Sequence, residues 1–176
     1  MKGRSVALVG NARALVGTDH GAAIDRADIV IRINRAPMPS AQSHGTRTDW
    51  LALATSLKRS QFARIAPSRL LWMSHKRKRL KRWMARGPAF TLFPKARHDA
   101  LEKRLRSRPT TGALLIDWLA ETQVAQLDLF GFDFMSSRSL SGHRDAAKVP
   151  HDFGAEEAWV MALIDADPRV THHRME

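Results

Sequence analysis

The sequence predicts an α/β fold, an open and mostly parallel sheet with helices on both faces. Two observations carry this. Short apolar, often β-branched runs alternate with segments of helical period along most of the chain. Several of those runs stop at glycine or asparagine, residues that start the tight turns leading from a strand into a crossover helix. A chain of 176 residues is about one domain, taken here as 1–176. Neither a repeat nor a low-complexity linker divides it.

The first strand is Val6-Ala7-Leu8-Val9, closed by Gly10-Asn11, and the second is Ile29-Val30-Ile31-Arg32-Ile33, closed by Asn34-Arg35 and broken by Pro37. Trp50–Ala54, Leu70–Met73 and the shorter Phe90–Leu92 follow. Leu127-Asp128-Leu129-Phe130 ends at Gly131, and Arg169-Val170-Thr171 is expected as a small edge strand. Helical patterns fall between these runs at Lys58–Ile65, His75–Arg86, His98–Arg106, Gly112–Glu121 and Asp152–Ile164. The polar stretch Phe134–Pro150 is expected as a long functional loop. In sheets of this kind ligands sit beyond the carboxyl ends of the strands, so the loops after Gly10, Asn34 and Gly131 are the informative ones.

Composition narrows the partners. The chain is 44% hydrophobic and 26% charged, as in a soluble globular protein, and no run approaches the roughly 18–20 apolar residues of a membrane span. There is no cysteine, which excludes disulfides, thiolate zinc sites and a cysteine nucleophile and points to a reducing cytoplasm. The net charge of +12 is uneven: Lys58–Arg108 holds 17 basic and two acidic residues, and the remainder of the chain is slightly acidic. Such a block suits an anionic partner, whether nucleic acid, an anionic membrane surface or an acidic glycan. Within it, His75–Arg86 carries seven Lys/Arg with Leu80, Trp83 and Met84 at i, i+3 and i+4. That pattern fits a solvated face, peripheral contact with an anionic inner membrane, or nucleic acid. Nucleic acid is disfavoured, because the chain has no tyrosine and no aromatic-rich strand for base stacking.

Four short stretches can carry chemistry. Gly10 lets backbone N–H groups approach a phosphate, and Asn11 adds an amide, although a plain strand-to-helix turn reads the same way. Asn34 would project at the same sheet edge. Pro109-Thr110-Thr111-Gly112 opens a helix, where a threonine caps the first turn and the remaining N–H groups make an anion site. His151-Asp152-Phe153-Gly154-Ala155-Glu156, with His143 upstream, supplies imidazoles suited to proton transfer near neutrality. No other cluster completes a metal site around these histidines. Asp165-Ala166-Asp167 before Pro168 reads as a turn, and His172-His173 as a solvated tail.

The order of the motifs is more specific than any one of them. Val6-Ala7-Leu8-Val9-Gly10-Asn11, then Ile24-Asp25, Val30-Ile31-Arg32-Ile33-Asn34-Arg35-Ala36-Pro37 and Gly45-Thr46-Arg47-Thr48, resembles the long sialyl motif of the eukaryotic-type sialyltransferases, glycosyltransferase family 29. Pro109–Gly112 followed by Leu127–Asp133 is similar to that family's short motif. His151 and Glu156 resemble its H-x4-E motif, and His143 the histidine of its third motif.

The resemblance implies a Rossmann-like variant fold in a short bacterial member of the family. It also implies inverting, metal-independent transfer of sialic acid or a related sugar from a CMP-sugar donor to a hydroxyl of a glycan or glycolipid acceptor. The CMP-sugar would be a substrate, with no cofactor. By the same resemblance Asn11 and Asn34 would hold the CMP phosphate and ribose, with Gly10, Thr110, Thr111, Gly112, Gly131 and Glu156 lining the donor site. His143 would contact the phosphate and His151 would act as general base. The family's disulfide between the long and short motifs has no counterpart, since Val6 and a position near Gln123 stand in its place. A catalytically inactive, CMP-binding accessory or scaffold protein of the same fold is the alternative expectation.

Overall fold

The computed structural model describes residues 1–87, 89–134 and 151–175. Seven strands run in chain order: β1 (Ser5–Val9), β2 (Ile29–Ile33), β3 (Trp50–Leu53), β4 (Arg69–Trp72), β5 (Ala89–Leu92), β6 (Gln126–Phe130) and β7 (Val170–His173). The helices are α1 (Gly21–Arg26), α2 (Ala41–His44), α3 (Arg59–Ile65), α4 (Arg82–Ala85), α5 (Lys95–Leu105), α6 (Thr111–Ala120) and α7 (Phe153–Ala166). Short 3-10 turns cover Arg13–Gly17 and Arg77–Arg79.

All seven strands form one sheet in the order β5-β4-β3-β2-β1-β6-β7, and every neighbouring pair is parallel. The first five strands are laid outward one after another. The chain then returns to place β6 on the other flank of β1, with Val6 opposite Leu127 and Val9 opposite Phe130. Strand order reverses at β1, so the crevice at the carboxyl ends of β1 and β6 is where an open α/β sheet holds ligands.

Both faces of the sheet are covered, as a parallel sheet requires. Alternate side chains of β1 divide between them. Val6 and Leu8 join Ile29, Ile31, Leu127 and Leu129 in a cluster with α5, α6 and α7, through residues such as Leu101, Leu115 and Val160. Ala7 and Val9 face the other way, against Leu15, Ile24, Val30 and Phe130. On that second face Leu51, Leu53, Leu70 and Trp72 extend the core towards Leu57 and Met84.

Two expected elements differ. The stretch 75–86, expected as one helix, is a 3-10 turn followed by the single turn α4. Seven Lys/Arg with no acidic residue among them repel one another at helical spacing and offer no i,i+4 pairing. Within its apolar stripe Met84 is fully buried, and Leu80 and Trp83, partly buried, pack against the same cluster. The pair His172-His173, expected as a solvated tail, is the end of β7. There Phe130 opposite His173 and Leu129 opposite His172 complete the ladder with β6.

The β1–β6 junction depends on missing side chains. A Cβ placed on Gly10 would lie 2.2 Å from the carbonyl oxygen of Gly131, which belongs to backbone and cannot swing away. The same atom on Gly17 would meet open space. Gly10→Ala is therefore expected to lose about 1–3 kcal/mol or more in urea unfolding through forced backbone displacement, and Gly17→Ala less than about 0.5 kcal/mol. Equal effects would show that the junction is not tightly packed.

Candidate functional site

The ladder between β1 and β6 continues past the strands. The Gly10 N–H donates to the Phe130 carbonyl at 2.7 Å, and the Ala12 N–H to the Gly131 carbonyl at 3.1 Å. Gly131 has φ +69°, a conformation that a side chain resists. These turns set two peptide backbones side by side at the rim. Asn11, almost wholly buried, donates from Nδ2 to the Ile33 carbonyl at 3.2 Å, which ties the first loop to the end of β2.

The next residue, Asn34, is also left-handed at φ 53°, and its Oδ1 accepts the Ala54 N–H at 3.2 Å. Its amide thus caps the end of β3. The two asparagines lie side by side along the rim, joined through Ile33.

On the opposite side of the crevice Phe132 acts as a spacer. Its ring would lie 2.6 Å from a Cβ on Gly112 and 3.3 Å from one on Gly10, so both glycines make room for it. Phe132 thereby seats the start of α6 against the β1–β6 rim. Its carbonyl accepts a hydrogen bond from Nε2 of His172 at 2.7 Å. The ring of His173 stacks on Phe130, with centroids 4.1 Å apart and planes 11° apart, and bonds Asp128 Oδ1 at 2.8 Å. The sequence pattern assigns Phe132 no contact of its own and reads His172-His173 as a solvated tail. The available signal was the β-branched Val170-Thr171 start, which continues for two more residues as strand.

Thr110 is the N-cap of α6, its Oγ1 accepting the Ala113 N–H at 3.1 Å. Such a cap is worth about 1 kcal/mol. The same hydroxyl donates to Glu156 Oε2 at 2.8 Å, and the Thr110 N–H donates to Glu156 Oε1 at 2.6 Å. Glu156, in the first turn of α7 and 3% exposed, fastens the start of one helix to the start of the other. Both carboxylate oxygens are thus taken by Thr110, which makes Glu156 a positioning residue. Thr111 is the half-buried first residue of α6.

His151 lies just before Asp152, the N-cap of α7. Its Nδ1 is 2.6 Å from the carbonyl of Arg108. A carbonyl only accepts, so Nδ1 carries a proton and, in the neutral ring, Nε2 is the basic nitrogen.

A string of contacts therefore runs from Asn34 through Asn11, Gly10, Gly131, Phe132 and Gly112 to Thr110, Glu156 and the backbone beside His151. His143 lies outside the described residues.

Behind the rim, other residues of the long motif form scaffold. Burial tends to raise the Asp25 carboxyl, but N–H groups of Arg47 and Thr46 and the Thr46 hydroxyl outweigh it and hold it below the usual carboxylate range. Gly45, at φ +66°, packs where a Cβ would strike Asp25. Arg32 is 1% exposed and donates to the His44 carbonyl at 2.6 Å and the Arg47 carbonyl at 2.8 Å. Burial lowers it to about 10, with Asp25 and Asp49 opposing, so it stays charged at neutrality. Burial, then Arg32, push His44 down to about 4 and keep it neutral.

Elsewhere, His98, Asp99 and Glu102 on α5 bring ligand-type atoms within 4.8 Å of one another. The Asp167 carboxylate pairs with Arg169, which fits a turn.

Residues 2–86 match the family model described as glycosyltransferase family 29 (sialyltransferase). The first half of the chain is thus similar to this family. The fold of the chain is also that of solved sialyltransferases. A mammalian sialyltransferase superposes with a TM-score of 0.69 at 18% identity, covering 97% of this chain and 69% of that one. The sialyltransferase CstII from Campylobacter jejuni, described in complex with the substrate analogue cytidine-5′-monophosphate, gives 0.65 at 13% identity, covering 98% and 80%. A mammalian sialyltransferase in complex with Gal-beta-1-3GalNAc-ortho-nitrophenol gives 0.64 at 19% identity, covering 97% and 69%. No curated protein matches the chain. The family match covers β1 to α4 and therefore includes Gly10, Asn11 and Asn34.

Burial is the main influence on Glu156 and pushes it up to about 7, against the two Thr110 hydrogen bonds that pull it down, with Asp152 adding to the rise. The unfolded carboxyl titrates near 4.5. Between these values the folded state holds the proton more tightly. Its contribution is complete below about 4.5 and is lost as pH rises towards 7, by up to about 3 kcal/mol. Glu156→Gln should remove this dependence. Urea unfolding of both proteins from pH 4.5 to 7.5 should show the wild type losing stability relative to the variant, and parallel curves would refute the assignment.

Proposed function

We propose that this chain is a sialyltransferase of family 29 that transfers sialic acid or a related sugar from a CMP-sugar donor to a hydroxyl of a glycan or glycolipid, with inversion and without a metal. The observation that carries the reading is the convergence of two peptide backbones, two asparagine amides and a capped helix start at one crevice, with His151 beside that helix start. A relative of the same fold is described in complex with CMP. No helix among the described residues is long and apolar enough to cross a membrane.

In the donor, the bond between the anomeric carbon and a phosphate oxygen breaks, and its electron pair leaves with CMP. The growing phosphate charge needs donors already aimed at it, which act without reorganisation in a partly dry crevice. The backbone around Gly10 and Gly131, the amides of Asn11 and Asn34, and the first turn of α6 at Thr111 and Gly112 supply them, and His143 would add a contact to the phosphate. The acceptor oxygen attacks the oxocarbenium-like carbon from the opposite face and gives its proton to Nε2 of His151. The Arg108 carbonyl holds the tautomer that leaves this nitrogen basic. Glu156 sets the height of the α6 start through Thr110. General-base catalysis of this kind contributes on the order of 10²–10⁴-fold.

CMP is expected to raise the melting temperature and to give a saturable calorimetric signal. His151→Ala should reduce kcat by about 10²–10⁴-fold while CMP affinity stays close to wild type. With neither a thermal shift nor a saturable signal from CMP, the donor assignment fails. A catalytically inactive, CMP-binding accessory protein of the same fold is the second reading. Saturable CMP binding without hydrolysis or transfer on a broad acceptor panel would decide for it.

A further inference from the structure

A second cleft, of about 700 Å³, opens beside the donor crevice, in the size range of small-molecule sites. Arg35, Lys58, Arg59 and Lys81 line it, with Gln61 and the face of Trp83. Arg35 directly follows Asn34 at the end of β2, so the cleft begins where the proposed donor site ends, along the same carboxyl edge of the sheet.

The electrostatics of this cleft are one-sided. None of the described residues lining it is acidic, and none of its four cations makes an ion pair among the described residues. On α5, by contrast, Lys95 pairs with Asp99, Arg97 with Glu121 and Arg104 with Asp117. Trp83 is held in place by Phe62, with ring centroids 5.3 Å apart, and the Arg59 guanidinium lies 5.5 Å from the Trp83 ring. A fixed aromatic plane among cations offers an apolar surface for a sugar ring and charges for a substituent on it.

We propose that this cleft binds an acidic saccharide, one bearing a carboxylate or a phosphate, as the anionic part of the acceptor. The word acceptor rests on the transferase reading; binding of the acidic saccharide does not. A continuous membrane surface fits less well, because the cations here line a concavity.

The test follows the indole N–H signal of Trp83, assigned with Trp83→Phe, while the full chain is titrated with 3′-sialyllactose, glucose 6-phosphate, lactose and glucose. Either charged probe is expected to give a saturable shift that its neutral counterpart does not, and which one does so separates carboxylate from phosphate recognition. The double variant Lys58→Gln/Lys81→Gln should weaken that binding about tenfold. The control Lys76→Gln/Lys78→Gln removes the same charge outside the cleft and should stay within about twofold. All four substituted lysines are exposed, so the fold is spared.

Equal loss in both double variants, equal response to neutral and charged probes, or no saturable shift with either charged probe overturns the inference. Binding only to anionic vesicles would do the same, since it identifies a membrane surface. A chain that binds CMP but neither charged probe keeps the donor site and loses this cleft. One that binds a charged probe but not CMP does the reverse.

Discussion

At the β1–β6 junction two backbones approach with no side chain between them, and most of the crevice follows from that approach. Gly10 and Gly131 lie so close that the hydrogen-bond ladder runs on beyond the strands into the loops. Because those loops are joined, Phe132 is delivered to a fixed place, and Gly112 yields room for its ring. The α6 start is therefore set by contact with the sheet as well as by its own cap. A side chain at Gly10 would displace all of these parts together, since each is positioned by the one before it.

Polar residues of the long motif divide into two kinds. Asp25, Arg32, Thr46 and Arg47 use their polar atoms on one another and on nearby carbonyls, and they hold the α1–β2 and α2–β3 connections in register. Asn11 and Asn34 each commit part of the amide to the strand ends and sit at the crevice. A motif is therefore not a list of ligands. Glu156 illustrates the point from the other end of the chain, where a carboxylate belonging to a conspicuous sequence pattern turns out to hold a threonine.

Much of the architecture was legible because buried parallel strands write themselves as short apolar runs. Val6–Val9, Ile29–Ile33 and Leu127–Phe130 match β1, β2 and β6 within a residue or so. Gly10 and Gly131 were legible as turns, and Thr110 as a cap. The stretch 75–86 misled because helical spacing of Leu80, Trp83 and Met84 is a local pattern, whereas repulsion among seven cations and packing on the sheet are not. His172 and His173 misled for the opposite reason. Imidazoles near a chain end look solvated until the neighbouring strand, with Phe130 ready to stack, is known. The contacts of Phe132 could not be read at all, since they depend on two glycines far away in sequence.

The sheet order has a temporal side. Strands β2 to β5 each find a partner laid down shortly before, but β1 waits for β6, about 120 residues further along, before its second flank is covered. Loop closure over that distance is entropically slow compared with the local pairings. The crevice is walled on one side by Gly131 and Phe132, so a half-assembled sheet has an incomplete pocket however well its first five strands are formed. A complete crevice would accordingly be the last feature acquired during refolding, and a ligand that fits it would reward only chains whose two ends have already met.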